Sequence, residues 1–356
     1  MKIFFLINDK AGGAEYVFKQ LVNTFLIKNE QIIVCFLSKK TSSFWDDLLD
    51  KDDIKIIYFN NSIFRFLKYR AYYNNRDQFI YTTHVYLTGL VGLLVRLKFI
   101  RKHRFIARES TNIFSRYNGT KLVSYKLMYL LGYSSVDLLI CQTERMQVEF
   151  LKAMPYLKRF IKIRTIENPF DSKSASIVKD MSSIEIDNYI VTAGRLIHEK
   201  GFDLLIEVFN ILAQKYPNLK LVVLGEGEKR DDLTQQIRNL KMGNRINLKG
   251  FVDNVYPYFK NAQLCVVSSR IEGFPNVLLQ MMSQNNKVVS TKCAGGIEDI
   301  PGLFIAETNN VEDLARAMNA ALEADTSTNR KIFDDYLAER SIENFISKIE
   351  YHLNND

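Results

Sequence analysis

Short apolar runs bounded by Gly, Asn and Asp recur along this chain, each followed by a longer stretch with helical spacing. Runs of this kind read as buried strands, and the intervals between them as the helices that cover them. In the first half the pattern predicts strands at Lys2–Ile7, Gln31–Leu37, Ile54–Phe59, Asp77–Thr83, Phe105–Ala107, Val136–Cys141 and Ile161–Ile166. Helices are expected from about Ala14 to Lys28 and over Leu87–Ile100. Residues 169–187 lose the periodicity and gain Ser and charge, which suits an interdomain linker. The alternation then resumes with strands Tyr189–Ala193, Lys220–Leu224, Ile246–Leu248, Leu264–Val267 and Lys287–Ser290. Helices run through Leu204–Lys215, through Leu233–Leu240 and after Pro275, and a helix pair closes the chain from about Asn329 to Leu353. Strands separated by helices in this way predict an α/β fold of two Rossmann-like, doubly wound parallel sheets. Ligands bind such sheets at the carboxyl ends of the strands.

Length agrees with this division, since 356 residues suffice for two α/β cores. The opening run Met1–Ile7 is too short for a secretory apolar region, and no stretch of 18 apolar residues could span a bilayer. Cys35, Cys141, Cys265 and Cys293 are widely spaced and suit reduced residues of a cytosolic protein. Charge changes the picture more. Residues 1–168 carry 27 Lys/Arg against 14 Asp/Glu, whereas residues 169–356 carry 21 against 26, so the overall +8 is concentrated in the first half. Within residues 61–126 there are 13 basic residues and only two acidic ones, Asp77 and Glu109, with aromatic residues interleaved. That pattern fits either a basic solvated face or a surface drawn to anionic lipid. No nucleic-acid-binding motif accompanies it, so nucleic acid is not expected as a partner.

Candidate chemistry sits where strands end. Gly12-Gly13 follows the first strand and opens a helix, so backbone can approach a ligand closely at a positive helix end. Gly194-Arg195-Leu-Ile-His-Glu-Lys200-Gly201 follows the first strand of the second half. Two cations at such a corner suit a diphosphate, Arg through a planar fork and Lys as a point charge. Leu221-Val-Val-Leu-Gly225-Glu-Gly227 and Leu248-Lys-Gly250-Phe251 are further strand ends with glycine turns. Arg270-Ile-Glu272-Gly273-Phe274-Pro-Asn276-Val277-Leu-Leu-Gln280 is a strand-to-helix junction that leaves backbone N–H groups unpaired at a helix start. Asp50-Lys-Asp52 has a metal-binding look, but it lies in an acidic loop and reads as solvated.

Together these motifs resemble the family-4 glycosyltransferases, retaining enzymes of the GT-B fold, over nearly the whole chain. The family pattern of two Glu separated by seven residues appears here as Glu272 and Gln280. Gln keeps an acceptor oxygen but loses the charge-assisted bond of a carboxylate. The resemblance implies an acceptor-side domain over 1–168, a nucleotide-sugar domain over 169–335 and a terminal helix, 336–356, that returns to the first domain, with a cleft between the domains. It implies catalytic roles for Glu272, Arg195 and Lys200, with Arg195 and Lys200 stabilising the departing diphosphate. Gly12, Gly13, Gly250, Phe251, Gly273, Phe274, Asn276, Val277 and Gln280 would bind the donor. His84, Arg108 and Ser110 are the acceptor-side candidates, Ser110 standing where relatives often have His. The expected donor is a UDP-linked hexose or N-acetylhexosamine and the expected acceptor a lipid-linked glycan or glycolipid at the cytosolic face of an anionic membrane. No metal and no cofactor are expected. A silent nucleotide-sugar-binding partner of another transferase and a nucleotide-sugar epimerase remain alternatives.

Overall fold

The computed structural model describes residues 1–39, 42–69, 72, 77–172 and 186–355. It comprises two compact units, Met1–Pro169 with Ile342–Asp356, and Phe170–Ser341.

The first unit is a seven-stranded sheet of β1 (Lys2–Asn8), β2 (Ile32–Ser38), β3 (Ile54–Tyr58), β4 (Phe79–Thr83), β5 (Arg104–Arg108), β6 (Leu138–Cys141) and β7 (Lys162–Thr165). All neighbours are parallel, in the order β3-β2-β1-β4-β5-β6-β7. The period-two alternation of a strand sends Ile3 and Phe5 of β1 into one core, and Phe4 and Leu6 into another. Its helices are α1 (Gly13–Ile27), α2 (Ile63–Lys68), α3 (Val85–Arg96), α4 (Ile113–Arg116), α5 (Gly119–Gly132) and α6 (Glu144–Ala153). The C-terminal helix Ile342–Asn354 belongs to this unit and buries Phe345, Ile346, Ile349 and Leu353 with Phe18, Val22 and Trp45.

The second unit has six parallel strands, β8 (Tyr189–Ala193), β9 (Lys220–Leu224), β10 (Ile246–Gly250), β11 (Leu264–Val267), β12 (Val288–Thr291) and β13 (Phe304–Ala306). Their order is β10-β9-β8-β11-β12-β13. Helices α7 (Phe202–Lys215), α8 (Arg230–Asn239), α9 (Tyr256–Asn261), α10 (Asn276–Met282), α11 (Val311–Glu323) and α12 (Asn329–Ala338) cover two apolar layers, one on each face. Both sheets therefore reverse winding direction once, between β1 and β4 in the first unit and between β8 and β11 in the second.

Several expectations are revised. Helix α3 starts at Val85 and stops at Arg96 rather than continuing to Ile100, because the backbone turns left-handed at Lys98 (φ 62). Helix α5, β13 and α11 were not foreseen. Helix α5 escapes pattern recognition because its outward positions Val123, Leu127 and Leu130 are apolar too, which blurs the helical period. The chain returns to the first unit at Ile342 and not at 336, since α12 is continuous through 336 and buries Phe333 and Leu337 in the second unit. Of the expected linker, residues 173–185 lie outside the described residues.

Helices α3 and α5 touch through glycine. A Cβ on Gly92 would overlap the Gly132 carbonyl, and one on Gly132 would overlap the Gly89 carbonyl. Gly92→Ala should therefore force the helices apart and cost roughly 1–3 kcal/mol, as overpacking does. Thermal unfolding of the full chain should show the lowered midpoint, and an unchanged midpoint would contradict the close contact.

Candidate active site

In a doubly wound sheet the loops leaving the two strands at the reversal diverge, and a ligand fits in the gap they open. In the second unit those strands are β8 and β11, which lead directly into the Arg195–Lys200 and Ser268–Glu272 segments. After β8 a turn at His198–Lys200 ends in Gly201, which is left-handed (φ 64) and precedes α7. Any Cβ on Gly201 would overlap the Ser268 carbonyl, so the two loops meet at backbone contact. The Ser268 hydroxyl donates to the Lys200 carbonyl at 3.0 Å. Lys200 Nζ lies 2.5 Å from Glu272 Oε1, with both side chains mostly shielded from solvent. Ser269 Oγ donates to the same oxygen at 2.9 Å, and the Glu272 amide donates to the Cys293 carbonyl at 2.8 Å. The two residues expected to act on donor sugar and phosphate are thus held against each other.

Arg270 fastens the rest of the loop. Its guanidinium donates to both carboxylate oxygens of Asp203, at 2.7 and 2.6 Å, to the His198 carbonyl at 2.7 Å and to Asn309 at 2.8 Å. Burial disfavours the Asp203 carboxylate, but the Arg270 hydrogen bonds and charge outweigh that and keep its pKa below the ordinary range. Arg195 differs from all of these. It is exposed, its carbonyl accepts from the Ile197 amide at 2.8 Å, and its side chain makes no hydrogen bond or ion pair among the described residues, which leaves a cation at the mouth of the gap.

The other expected donor-side residues occupy neighbouring strand ends. Gly250, left-handed (φ 87), closes β10 and accepts from the Gly225 amide at 2.8 Å, while the Glu226 carboxylate lies over it. Phe251 projects into solvent, 68% exposed. Gly273 is buried before α10, and Asn276 and Val277, half-buried, supply its first turn. Gln280 is half-buried one turn after Asn276. The Phe274 side chain is buried in the core with Arg340 over its ring at 5.3 Å, so any donor contact from this residue falls to its backbone.

The first unit repeats the arrangement at β1 and β4. Gly12 is the extended N-cap of α1 and Gly13 its first residue, and the Glu15 carboxylate lies against Gly12 where a Cβ would stand. His84 follows β4 with a left-handed backbone (φ 71), strained for a non-glycine residue, and precedes α3. Its Nε2 is 3.9 Å from Glu15 Oε1. Glu15 was missed by sequence reading; its place three residues after the N-cap of a glycine-opened helix was the available signal.

Arg108 is the second acceptor-side candidate. It is buried, and its Nη2 donates to Asn168 Oδ1 at 2.5 Å. Asn168 in turn donates to Gln142 at 3.0 Å, and Gln142 to the Glu109 carbonyl at 2.7 Å, so Arg108 pins the end of the unit at Pro169. Burial lowers its pKa to about 10, against the pull of Glu15 and Glu109, and it stays charged at neutral pH. Ser110 lies half-buried in the loop after β5. Glu109, pointing to the opposite face, accepts from the Tyr133 hydroxyl at 2.9 Å. Its burial outweighs that bond and raises its pKa to about 7.

Among the described residues no group of three or more His, Cys, Asp or Glu is placed to hold a metal ion, and Asp50 and Asp52 are exposed. A groove of about 380 Å³ lined by Arg104, Lys158, Arg159 and Lys162 opens at the amino ends of β5 and β7, away from the strand ends that carry the candidate residues.

Two diverging loops with paired Lys200 and Glu272 and an unpaired Arg195 sit on one continuous stretch of sequence. Residues 176–339 match the family model of glycosyl transferases group 1. That match covers the second unit almost entirely. The chain is also 31% identical over 194 residues to an uncharacterised glycosyltransferase of Methanocaldococcus jannaschii, covering 51% of this chain and 46% of that one. Similarity to an N-acetylgalactosamine-N,N'-diacetylbacillosaminyl-diphospho-undecaprenol 4-alpha-N-acetylgalactosaminyltransferase of Campylobacter jejuni is 26% over 337 residues and covers 90% of both chains. The chain spans just under half the length of the Methanocaldococcus relative and of an uncharacterised glycosyltransferase of Haemophilus influenzae, 46% in each case. Among solved structures, Anabaena Alr3699/HepE in complex with UDP and glucose superposes with a TM-score of 0.79 at 19% identity, covering 100% of this chain and 99% of that one. The fold is thus the GT-B type, two Rossmann-like parallel-sheet domains.

Arg270→Ala should loosen the Ser268–Glu272 loop and lower the unfolding free energy by on the order of 2 kcal/mol, read as a lower urea midpoint; an unchanged midpoint would show that the Asp203 contact holds nothing. Glu109 makes a separate prediction about pH. An unfolded glutamate ionises near 4.5 and folded Glu109 near 7, so the native state binds more protons between those values. Its contribution to stability therefore falls as pH rises through that window. Glu109→Gln keeps the Tyr133 acceptor and removes the titration. Relative to this variant the wild type should lose roughly 3 kcal/mol between about pH 4.5 and about pH 8, read from urea midpoints. Equal losses in both proteins would refute the assignment.

Proposed function

We propose that the protein is a retaining, metal-independent glycosyltransferase that moves a hexose or N-acetylhexosamine from a UDP-linked donor to a lipid-linked glycan or glycolipid. The observation that carries the reading is the convergence of Arg195, Lys200 and Glu272 on the two strand ends where the second sheet reverses. Two cations there suit a diphosphate, and a carboxylate held by Lys200 and Ser269 suits sugar hydroxyls. Support for a UDP donor comes from the GT-B structure solved with UDP and glucose. Support for a lipid-linked acceptor comes from the Campylobacter relative, whose name specifies a diphospho-undecaprenol glycan and an α linkage.

In this reading the acceptor oxygen bonds to the anomeric carbon on the face the diphosphate leaves. The carbon–oxygen bond to the diphosphate breaks, and the acceptor proton passes to a diphosphate oxygen. The protein then needs no general base of its own. It supplies positioning and charge: Arg195 and Lys200 offset the negative charge that grows on the diphosphate, and the N-terminus of α10 adds its dipole. Glu272 orients Lys200 before the donor arrives. The basic first unit serves the acceptor side at the cytosolic face of an anionic membrane, and no described helix is long and apolar enough to cross it.

The test is acceptor-free release of nucleoside diphosphate from a panel of UDP-, GDP- and ADP-sugars, beside Lys200→Ala. Slow release from UDP-sugars alone, reduced at least tenfold in the variant, is expected. Failure of every free nucleoside diphosphate to bind in a titration would overturn the reading.

A further inference from the structure

Helices that cover a sheet ordinarily turn polar residues to solvent, and α8 does so with Asp231, Asp232, Gln235 and Arg238. Helices α3 and α5 do not. The outward ridge of α3 and the turn after it is Tyr86, Leu90, Leu93 and Leu97, at the i, i+4, i+7, i+11 spacing of one face. Tyr86, Leu90 and Leu97 are exposed and Leu93 is half-buried between them. On α5 the exposed large apolar residues are Val123, Leu127 and Leu130, again one ridge, with Lys121 at its start. Gly89 against Met128, Gly92 against Gly132 and Tyr86 against Tyr125 (ring centroids 4.7 Å apart) hold the two helices parallel and in contact, so the ridges run alongside each other.

We propose that these two ridges form a docking surface for the headgroup–acyl boundary of an anionic lipid bilayer. The inference rests on the lipid-linked acceptor proposed above and assigns its membrane contact to particular residues. Charge selects this occupant. Residues 85–132 contain nine Lys/Arg and a single acid, Glu109, which is buried. Arg96, Lys98 and Arg101 are exposed at and beyond the end of α3, and Lys121 at the start of α5, so cations flank the apolar strip at both ends. Tyr86, Tyr117 and Tyr125 cluster at the amino ends of the two helices, where amphipathic rings suit a membrane interface. A second copy of this chain would meet the strip with like charge, which disfavours self-association through it. An apolar ridge with basic ends is the chemistry of an in-plane interfacial helix.

The experiment is flotation of the full chain with phosphatidylcholine vesicles with and without phosphatidylglycerol. Wild type is compared with Leu90→Ser/Leu127→Ser, Lys98→Glu/Lys121→Glu and Ile211→Ser, the last an exposed apolar residue of α7. Wild type and Ile211→Ser should partition onto the anionic vesicles, and each double variant should do so at least tenfold less. Nucleoside-diphosphate binding and the thermal midpoint should stay unchanged in all of them, which separates failure of this surface from failure of the transferase reading. Equal partitioning of wild type and both double variants would overturn the proposal, as would no partitioning of wild type. A wild-type dimer that dissociates in Leu90→Ser/Leu127→Ser would overturn it in favour of a second copy.

Discussion

The backbone contact between the loops leaving β8 and β11 is the constraint on which the second unit's site depends. Gly201 is tolerated there only as glycine, both because its φ is positive and because the Ser268 carbonyl fills the space a side chain would need. Once the loops touch, Lys200 and Glu272, 72 residues apart in sequence, fall within hydrogen-bond distance. Ser269 then donates to Glu272 and Arg270 to Asp203, which fastens the junction further. A single close approach thus converts two separate strand ends into one arrangement of charge.

That arrangement is asymmetric in a way that suits an anionic ligand. Lys200 is neutralised by its partner, Arg270 by Asp203, and Arg195 alone among the three is exposed and unpaired among the described residues. The first unit uses the same topological device with different chemistry. At β1 and β4 its reversal brings Glu15 and His84 together beside the glycine-opened start of α1, with Lys10 exposed in the loop between β1 and α1 and Arg108 buried. Of the 27 basic residues in the first half of the sequence, nine lie within residues 85–132, the segment that contains α3 and α5.

Much of this was legible in sequence because the signals are local. Strands of buried Val, Ile and Leu, glycines at their ends and a cation or carboxylate one turn later can be read without knowing what packs on what. Where outward positions are also apolar, as on α5, the same reading fails, because periodicity reports contrast rather than structure. Sequence places Arg108 and Phe274 at strand ends, yet whether a side chain there faces solvent or core depends on strand alternation and on neighbours far away in the chain, Asn168 and Arg340. Glu15 escaped for a related reason, since its importance comes from facing His84, 69 residues on.

The sequence by itself determined two parallel α/β sheets, the concentration of positive charge in the first half and the strand ends at which chemistry is placed. These follow from alternation, composition and glycine position, all properties of short windows. Tertiary structure alone decided which of those residues meet. It paired Lys200 with Glu272, left Arg195 open, turned Arg108 inward and set two apolar helix ridges together on the surface. Pairing of that kind depends on strand order and on backbone approach at single glycines, and neither is written in any local stretch of the chain.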